Sequence, residues 1–386
     1  MIRLFLTVVA LSSVSAYGQA VGTCTEGDEA LASRSDILFC EPFNSPTWYD
    51  DHGYVDGQSI NPSPVNVANQ LNRVRITSSA ECLSGSCLEG DWDVGVERTL
   101  AIVWPIKEAN AADSSFAAEP EEMYMRYYLK FSNSWNAEQI SGNEGNGKLF
   151  GFADGRENGD PGDQCGNGGA TPDGTDCWTA RGLFWVCEDK ASDWAPGATC
   201  NDIAGGKARL GSYIYATGNG GETTGANGQW DGYGENQTRG GNGQSETVCR
   251  RSGPPGTAEH VAACYGSPED NFYSGLGAGD NVVIGDEWYA IETFVKMNTP
   301  GVANGVLRGW VNDKLVYEKT DMMWRLPGHD NLHVRTVWLD LYKGGISGNT
   351  VAAKSWVDQM VVARERIGAI GGTVRPNPPA DFTAQP

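Results

Sequence analysis

Apolar and polar residues alternate along several segments of the chain, and this period of two predicts β-strands that bury one face. The clearest case is MYMRYYLKF at residues 123–131. Its apolar parity carries Met123, Met125, Tyr127, Leu129 and Phe131. Its other parity is polar or aromatic and carries Tyr124, Arg126, Tyr128 and Lys130. Similar alternation occurs in LGSYIYA (210–216), WYAIETFVKM (288–297), LHVRTVWLDLY (332–342) and SWVDQMVVA (355–363).

Long loops rich in Gly, Asp and Asn separate these segments, at residues 154–176, 188–207 and 216–280. The sequence has no heptad pattern, no long amphipathic helix and no internal repeat. One-sided apolar strands joined by turn-rich connections predict an all-β fold, an antiparallel two-sheet β-jelly roll of the concanavalin-like sandwich type. We expect one domain over residues 21–370, because no linker divides it, and a Pro-rich flexible tail over residues 371–386.

The chain begins MIRLFLTVVALSSVSAYGQA, and all ten of its cysteines come later. One Arg and an apolar run before small residues are typical of a secretory signal peptide. We therefore expect residues 1–20 to be removed and the protein to be secreted, extracellular or periplasmic. An even number of cysteines in an exported chain predicts disulfides that staple the long loops. Ten cysteines allow many connectivities, and pairing of neighbours in sequence would give Cys24–Cys40, Cys82–Cys87, Cys165–Cys177, Cys187–Cys200 and Cys249–Cys264.

The formal net charge of −21 over 386 residues limits the partners of the protein. A chain this acidic is a poor match for nucleic acid or for an anionic membrane. After the first 20 residues, no stretch reaches the ~18 apolar residues of a membrane-spanning helix. We therefore expect a soluble monomer. Acidic residues gather in the loops while the strand segments keep cations, so an anionic ligand is compatible with the net charge where salt screens distant fields.

Cations and aromatic residues recur at alternate positions of the predicted strands. In CWTARGLFWVC (177–187), a hydroxyl, a guanidinium and an indole share one parity, with small or apolar residues between them. If these faces line one sheet, aromatic rings could stack on sugars and an Arg could hold a carboxylate through two hydrogen bonds. The candidates are Lys148, Thr179, Arg181, Trp185, Tyr213 and Tyr215, with Tyr124, Arg126, Tyr128 and Lys130 from the first strand and Lys296 and Arg335 nearer the end of the chain.

Several of these segments resemble polysaccharide lyase family 14, which includes alginate lyases and glucuronic-acid-specific lyases with a β-jelly roll. The matching blocks run from about Glu122 to about Ala363. They are GKLFGF, WTAR, YIY, VKMNTPGVANGVLRGWVNDKLVYEKTDMMWR, TVWLDLYKGG and WVDQMVVA. The stretch MNTPG…GVLRGWVNDK is the most specific of them. Two features depart from the family: Thr179 stands where the family usually has a Ser, and cysteine-bearing insertions enlarge the gaps between blocks.

The resemblance implies a catalytic set of Lys148, Thr179, Arg181, Tyr213 and Tyr215. It implies β-elimination on an anionic polysaccharide that contains uronic acid, of the alginate or glucuronan type. Arg181, helped by Thr179 or Lys148, would neutralise the carboxylate and stabilise the enolate-like anion that forms. Tyr213, Tyr215 and Lys148 are the candidates for the base and the acid, and the sequence leaves open which is which. This scheme requires no cofactor.

Two other functions remain open from the sequence. A glycoside hydrolase would need two carboxylates about 5–9.5 Å apart across a groove. Glu292 is the strongest candidate acid, and Asp340 and Asp358 are weaker ones. A non-catalytic carbohydrate-binding protein would bind a glycan, release no product and tolerate the loss of Lys148.

Metal binding has weak support in the sequence. The loop DGRENGDPGDQCGNGG spaces acids and amides as a calcium loop does, but it lacks the full EF-hand spacing and the closing Glu. It could hold a structural calcium ion or be a solvated loop anchored by a disulfide. The four histidines form neither an HxxxH nor an HExxH motif, so we expect no zinc centre. The residues concerned are Asp154, Asn158, Asp160 and Asp163 in the loop, and His52, His260, His329 and His333.

Overall fold

The computed structural model of the chain describes the strands and most of their short connections. The described residues are 24, 28, 30–46, 48, 72–96, 98–106, 120–134, 146–154, 174, 175, 177–185, 207–216, 236–238, 282–343 and 351–370. Their elements are a 3₁₀ turn at Leu31–Ser33 and fifteen strands. The strands are β1 Ile37–Glu41, β2 Val74–Thr77, β3 Cys87–Trp92, β4 Arg98–Pro105, β5 Glu122–Phe131, β6 Asn146–Ala153, β7 Thr179–Trp185, β8 Lys207–Tyr215, β9 Asn236–Thr238, β10 Val282–Ile284, β11 Tyr289–Lys296, β12 Gly305–Val311, β13 Lys314–Met322, β14 Thr336–Lys343 and β15 Ala353–Ala363.

The strands form two antiparallel sheets. Sheet A has the order β13-β12-β11-β5-β15-β3-β2, and β1 also pairs with β15. Sheet B has the order β10-β8-β7-β6-β14-β4, and β9 pairs with β8. In both sheets strands distant in sequence lie side by side, for example β5 beside β15 and β6 beside β14. Such long-range pairing is typical of the two-sheet jelly roll, and the fold class predicted from the alternation is confirmed.

The core lies between the two sheets and contains apolar side chains from both of them. From sheet A it takes the apolar side chains of β5, including Met125 and Tyr127, and from sheet B it takes Phe150 and Phe184. Phe184 meets Trp92 edge-on at a centroid distance of 6.1 Å and Phe131 at 5.4 Å, so aromatic contacts join the sheets. Burying each such side chain contributes about 1.5–3 kcal/mol, which makes this interface the main source of stability.

The described cysteines agree with pairing of sequence neighbours. Cys24 is bonded to Cys40, and Cys82 to Cys87. The first of these bonds ties the chain before the 3₁₀ turn to β1. Cys177 is also disulfide-bonded. The signal peptide, the tail over 371–386 and the other predicted pairs lie outside the described residues. Among the residues that are described, there is no helix of the length and hydropathy that crossing a membrane requires.

Candidate functional site

The face of sheet B that points away from the core, here called the outer face of sheet B, carries Lys148 and Arg181, two of the cations predicted from sequence. Strand β14 shows how it forms. Its odd positions, Val337, Leu339 and Leu341, lie in the core between the sheets. Its even positions therefore line the outer face, and they are Thr336, Trp338, Asp340 and Tyr342.

Cross-strand pairing aligns the candidate residues in rows across this face. One row runs from Thr336 on β14 through Ala153 and Thr179 to Tyr215. The next runs from Trp338 through Gly151 and Arg181 to Tyr213. A third pairs Tyr342 with Lys148. Paired positions of an antiparallel ladder share a face, so the register brings all five predicted catalytic positions to one surface. The side chains of Tyr213 and Tyr215 lie outside the described part, and their place on this face follows from the backbone register.

Lys148 reaches the outer face because of an irregularity in β6. Lys148 and Gly151 are three positions apart, but their partners on β7, Leu183 and Arg181, are only two positions apart. The extra residue is a β-bulge, which reverses the alternation at this point. Lys148 is 8% exposed, and its Nζ lies 4.9 Å from the centroid of the Tyr342 ring. Phe150 and Phe152, the following even positions of β6, pack in the core. Because of the bulge, Lys148 points to the outer face although its position is also even.

Arg181 is held by two residues of β14. Its Nη1 donates to Oδ2 of Asp340 at 2.7 Å, and both side chains are at most 1% exposed. The guanidinium carbon lies 4.0 Å above the centroid of the Trp338 ring. An ion pair at this burial is weakly screened, and a guanidinium that also stacks on an indole has little freedom to rotate.

The side chain of Arg181 crosses β6 at a glycine. Gly151 lies between Trp338 and Arg181 in their row. A Cβ at Gly151 would lie 2.2 Å from the carbonyl oxygen of Ala180 and 2.4 Å from the Cα of Arg181. The position therefore accepts no side chain without a shift of the β7 backbone. Strand β6, between β7 and β14, therefore has no side chain at the position next to Arg181.

Among the described residues of this face, Oδ1 of Asp340 and Nε1 of Trp338 are buried and form no hydrogen bond. Thr179, on the neighbouring row, is fully buried as well. A buried donor or acceptor without a partner costs about 1–3 kcal/mol, so native proteins keep few of them. Asp340 and Trp338, the two residues that contact Arg181, therefore each have a polar atom without a hydrogen-bond partner.

Arg335 and Asp154 lie at the end of the rows. The Nη1 of Arg335 lies 3.4 Å from the carboxylate of Asp154, which is fully buried directly after β6. The Nη2 of Arg335 donates to the carbonyl of Asn331 at 2.5 Å. Arg335 is therefore at the margin of the face. Asp154 is the single described member of the predicted calcium loop, since positions 158, 160 and 163 lie outside the described residues.

The polar parity of β5 lies on the other side of the molecule, which corrects the expectation that all the candidate rows line one sheet. Strand β5 belongs to sheet A, and its outer face is turned away from Lys148 and Arg181. The alternation was read correctly, but it defines only which positions share a face. The residues concerned are Tyr124, Arg126, Tyr128 and Lys130.

Arg126 instead binds two segments distant in sequence, one at Asp28 and one near Gly368. Its Nη1 donates to Oδ1 of Asp28 at 3.1 Å, and its Nη2 pairs with the other oxygen of this carboxylate. It also donates to the backbone carbonyls of Gly368, at 3.2 Å, and Gln359, at 3.1 Å. Tyr128 accepts the backbone N–H of Ile370 at 2.6 Å. The last described segment of the chain therefore lies across the outer face of sheet A.

The other predicted substrate contacts of sheet A have partners within the protein. Lys130 forms an ion pair with Glu81, and Tyr124 stacks on Phe294 at 4.2 Å. Lys296 is half exposed and pairs with Glu122 at 3.1 Å. Trp185 ends β7 in sheet B, but its side chain lies outside the described part.

The carboxylates named for a hydrolase are divided between the two sheets. Glu292 on β11 accepts the backbone N–H groups of Ile367 at 2.8 Å and Gly368 at 3.1 Å. Burial raises its pKa, and these two hydrogen bonds oppose that shift. Asp358 on β15 lies on sheet A too, and Asp340 lies on sheet B. Glu292 therefore holds the last described segment, and it lies across the sandwich from Asp340.

Sequence reasoning missed three contributors to the outer face of sheet B. Trp338 and Tyr342 were not singled out, and Asp340 was weighed only as a hydrolase acid. The signal was present in TVWLDLYK, where these three residues occupy one parity between Val and Leu residues. Gly151 was missed because its role depends on which strands flank β6.

Comparison with known proteins finds similarity only among solved structures. No protein-family profile and no curated protein matches the chain. The PL-14 alginate lyase from Aplysia kurodai is 14% identical, with a TM-score of 0.47 over 85% of this chain and 99% of that one. The alginate lyase Aly36B is 14% identical, with a TM-score of 0.43 over 82% and 96%. The endo-β-1,4-glucuronan lyase from the fungus Trichoderma reesei is 14% identical, with a TM-score of 0.39 over 76% and 87%. Likeness at this level assigns neither an activity nor a site residue to the chain.

Proposed function

We propose that the protein is a secreted, monomeric polysaccharide lyase that cleaves a uronic-acid-containing polysaccharide, of the alginate or glucuronan type, by β-elimination. The observation that carries the proposal is the convergence of Lys148, Thr179 and Arg181 with the register positions of Tyr213 and Tyr215 on the outer face of sheet B. These five residues come from three neighbouring strands of sheet B, β6, β7 and β8.

The chemistry requires three tasks, and this face offers a group for each. The C5 proton of a uronate becomes acidic enough to remove only when the charge of its carboxylate is neutralised. Arg181, with Thr179 or Lys148, would bind that carboxylate and stabilise the enolate-like anion. A base then removes the C5 proton, the C4–O4 bond breaks as the C4=C5 double bond forms, and an acid protonates O4. Tyr213, Tyr215 and Lys148 are the groups for these two proton transfers.

The environment of the cations suits this task. Arg181 and Lys148 are almost fully withdrawn from water. A charge interaction there is worth several times its value at a solvated surface, because the local dielectric constant is lower. The fixed orientation of Arg181 also avoids reorganisation as charge develops, which is the main source of electrostatic catalysis.

The two alternatives have less support. A hydrolase needs a facing pair of carboxylates. Glu292 and Asp340 lie on opposite sides of the sandwich, and Glu292 and Asp358 both accept backbone N–H groups on sheet A. A non-catalytic glycan-binding protein would have no use for an ion-paired guanidinium withdrawn from solvent, since sugar recognition relies mainly on exposed aromatic faces and hydrogen bonds.

One experiment separates the three functions. The secreted chain is incubated with alginate, with glucuronan and with a neutral glucan, while ultraviolet absorbance and reducing ends are followed. A lyase raises both signals on at least one uronate polymer and neither on the glucan. A hydrolase raises reducing ends without the absorbance of an unsaturated uronate. A binding protein raises neither but is retarded by the polymer in an affinity gel.

A further inference from the structure

Asp340 and Arg181 form a pair that stability alone does not explain. Both side chains are at most 1% exposed, and Oδ1 of Asp340 makes no hydrogen bond. Removing two charges from water costs several kcal/mol per ion, and a buried pair recovers that cost only when its other polar atoms are satisfied. Apolar residues of similar volume would serve the fold as well or better. A buried pair is thus weak evidence for a purely structural role, and this one lies among the rows of candidate catalytic positions.

Two contacts with β14 restrict the guanidinium of Arg181, one at its edge and one at its face. Asp340 fixes its far edge through Nη1 at 2.7 Å, and the Trp338 ring lies under its plane at 4.0 Å. Gly151 keeps the path from β7 to β14 free of a side chain. Because Asp340 and Trp338 are both on β14 and Arg181 is on β7, the guanidinium is held two strands away from its own backbone.

We propose that Asp340 is a positioning residue of the candidate lyase site, which fixes the guanidinium of Arg181 on the Trp338 ring. This inference rests on the proposed function. Asp340 acts through Arg181 and not on the sugar, since it occupies the edge of the guanidinium on the β14 side. Its effect should therefore vanish when Arg181 is absent.

A double-mutant cycle tests this dependence. Asp340→Asn keeps the shape of the side chain but removes the charge that anchors the guanidinium. We expect kcat on the active uronate polymer to fall by about tenfold or more in Asp340→Asn. In the Arg181→Ala background, the same change should alter kcat by less than about twofold. Losses that multiply in the double variant would overturn the inference, because Asp340 would then act independently of Arg181.

Chemical rescue gives a second readout that a purely structural role would not produce. Arg181→Ala leaves the contacts of Asp340 and Trp338 available to a small cation. Millimolar methylguanidinium should raise the activity of Arg181→Ala severalfold, and it should fail to do so in Arg181→Ala/Asp340→Asn. Equal rescue in both variants, or rescue in neither, would contradict the positioning role.

Two controls keep the outcome readable. Asp28→Asn breaks a similarly buried pair with Arg126 on sheet A, so it should lower the melting temperature but leave kcat unchanged. If Asp340→Asn does not fold, a comparison of Trp338→Phe with Trp338→Leu replaces it. Phe retains a ring next to the guanidinium and should keep more activity than Leu. Equal activity of these two folded variants would count against the inference.

The failure of the proposed function and the failure of this inference give different results. If the unmodified chain cleaves no uronate polymer, the proposed function fails. If the chain is active and the cycle is multiplicative, the inference alone fails.

Discussion

Arg126 and Arg181 each form a buried ion pair with an aspartate, and they do so on opposite outer faces of the sandwich. Arg126 on β5 binds Asp28 and two backbone carbonyls near the last described residues. Arg181 on β7 binds Asp340 and stacks on Trp338. Similar chemistry thus serves chain attachment on one sheet and the candidate site on the other, and the two roles should separate in variants.

Breaking the Arg126 pair should cost stability and not activity. Asp28→Asn leaves a guanidinium buried without a full counter-charge, and we expect the free energy of unfolding to fall by about 3–5 kcal/mol. The kcat of folded protein should not change, because this pair faces away from Lys148. Denaturant unfolding and lyase assays below the transition measure the two quantities. A loss of kcat without a loss of stability would contradict this prediction and would favour a role of Arg126 in substrate binding.

Isosteric substitution of Thr179 tests whether its hydroxyl contributes to cleavage. Thr179→Val removes the hydroxyl at constant volume, and we expect kcat to fall by about 10²-fold, as for the loss of one donor to a developing oxyanion. Thr179→Ser retains the hydroxyl and should keep activity within a few-fold of the unmodified chain. Steady-state kinetics on alginate and glucuronan distinguish them. Equal activity of the two variants would show that the hydroxyl is not used.

Glu292→Gln examines the hydrolase alternative directly. The carboxylate accepts two backbone N–H groups from the last described segment, and an amide has a single oxygen to offer. We expect unfolding free energy to fall by about 1–3 kcal/mol, with cleavage unaffected. Tyr213→Phe and Tyr215→Phe serve as comparison variants. Loss of cleavage in Glu292→Gln together with full activity in both Phe variants would favour a hydrolase.

Asp358 predicts a decline of stability with rising pH. Burial raises its pKa from 3.8 to about 7, although backbone hydrogen bonds, including that from Ser84, oppose this shift. Between these values the folded state holds a proton that the unfolded state has released, so unfolding free energy falls as pH rises through this window and is level above it. We expect Asp358→Asn to remove this slope and to stabilise the protein at pH 8 by on the order of 2–4 kcal/mol. Melting curves of both proteins at pH 4 and pH 8 provide the measurement. A gap that does not widen at the higher pH would refute the assignment.

Gly151 should tolerate no side chain. The Cβ of Gly151→Ala would meet the β7 backbone within 2.2 Å, so the two strands must separate. We expect a loss of several kcal/mol of stability, or no folded protein. Gly95→Ala is the matched control, because Gly95 has a positive φ of 79° but no neighbour within 4 Å of an added Cβ. It should cost only about 1 kcal/mol, and similar losses at the two glycines would argue against the close approach of β6 and β7.

The sequence predicted the strands and their faces well, because a period of two is a local property. The β5 alternation gave both faces correctly, from Met125 inward to Arg126 outward. What it lacked was the sheet to which each strand belongs. That depends on pairing between strands far apart in sequence, such as β5 with β15 and β6 with β14. The row containing Arg126 was therefore joined to a row on the other side of the molecule.

The candidate site was predictable in part for the same reason. Lys148, Thr179 and Arg181 were found from short segments whose order resembles a family. Asp340 and Trp338 were not, because their contacts with Arg181 depend on β14 lying next to β6. A strict alternation places Lys148 on the same face as Phe150 and Phe152, so the bulge that turns Lys148 outward could not be predicted from the pattern. These parts of the site depend on strand register and on a bulge, which the local pattern does not specify.

The contacts of Asp28 and Ile370 with sheet A indicate where the protein can be attached to a support. Both residues contact β5, on the side of the sandwich opposite Lys148 and Arg181. A support coupled to a described residue on that side would leave the outer face of sheet B turned towards a dissolved polymer.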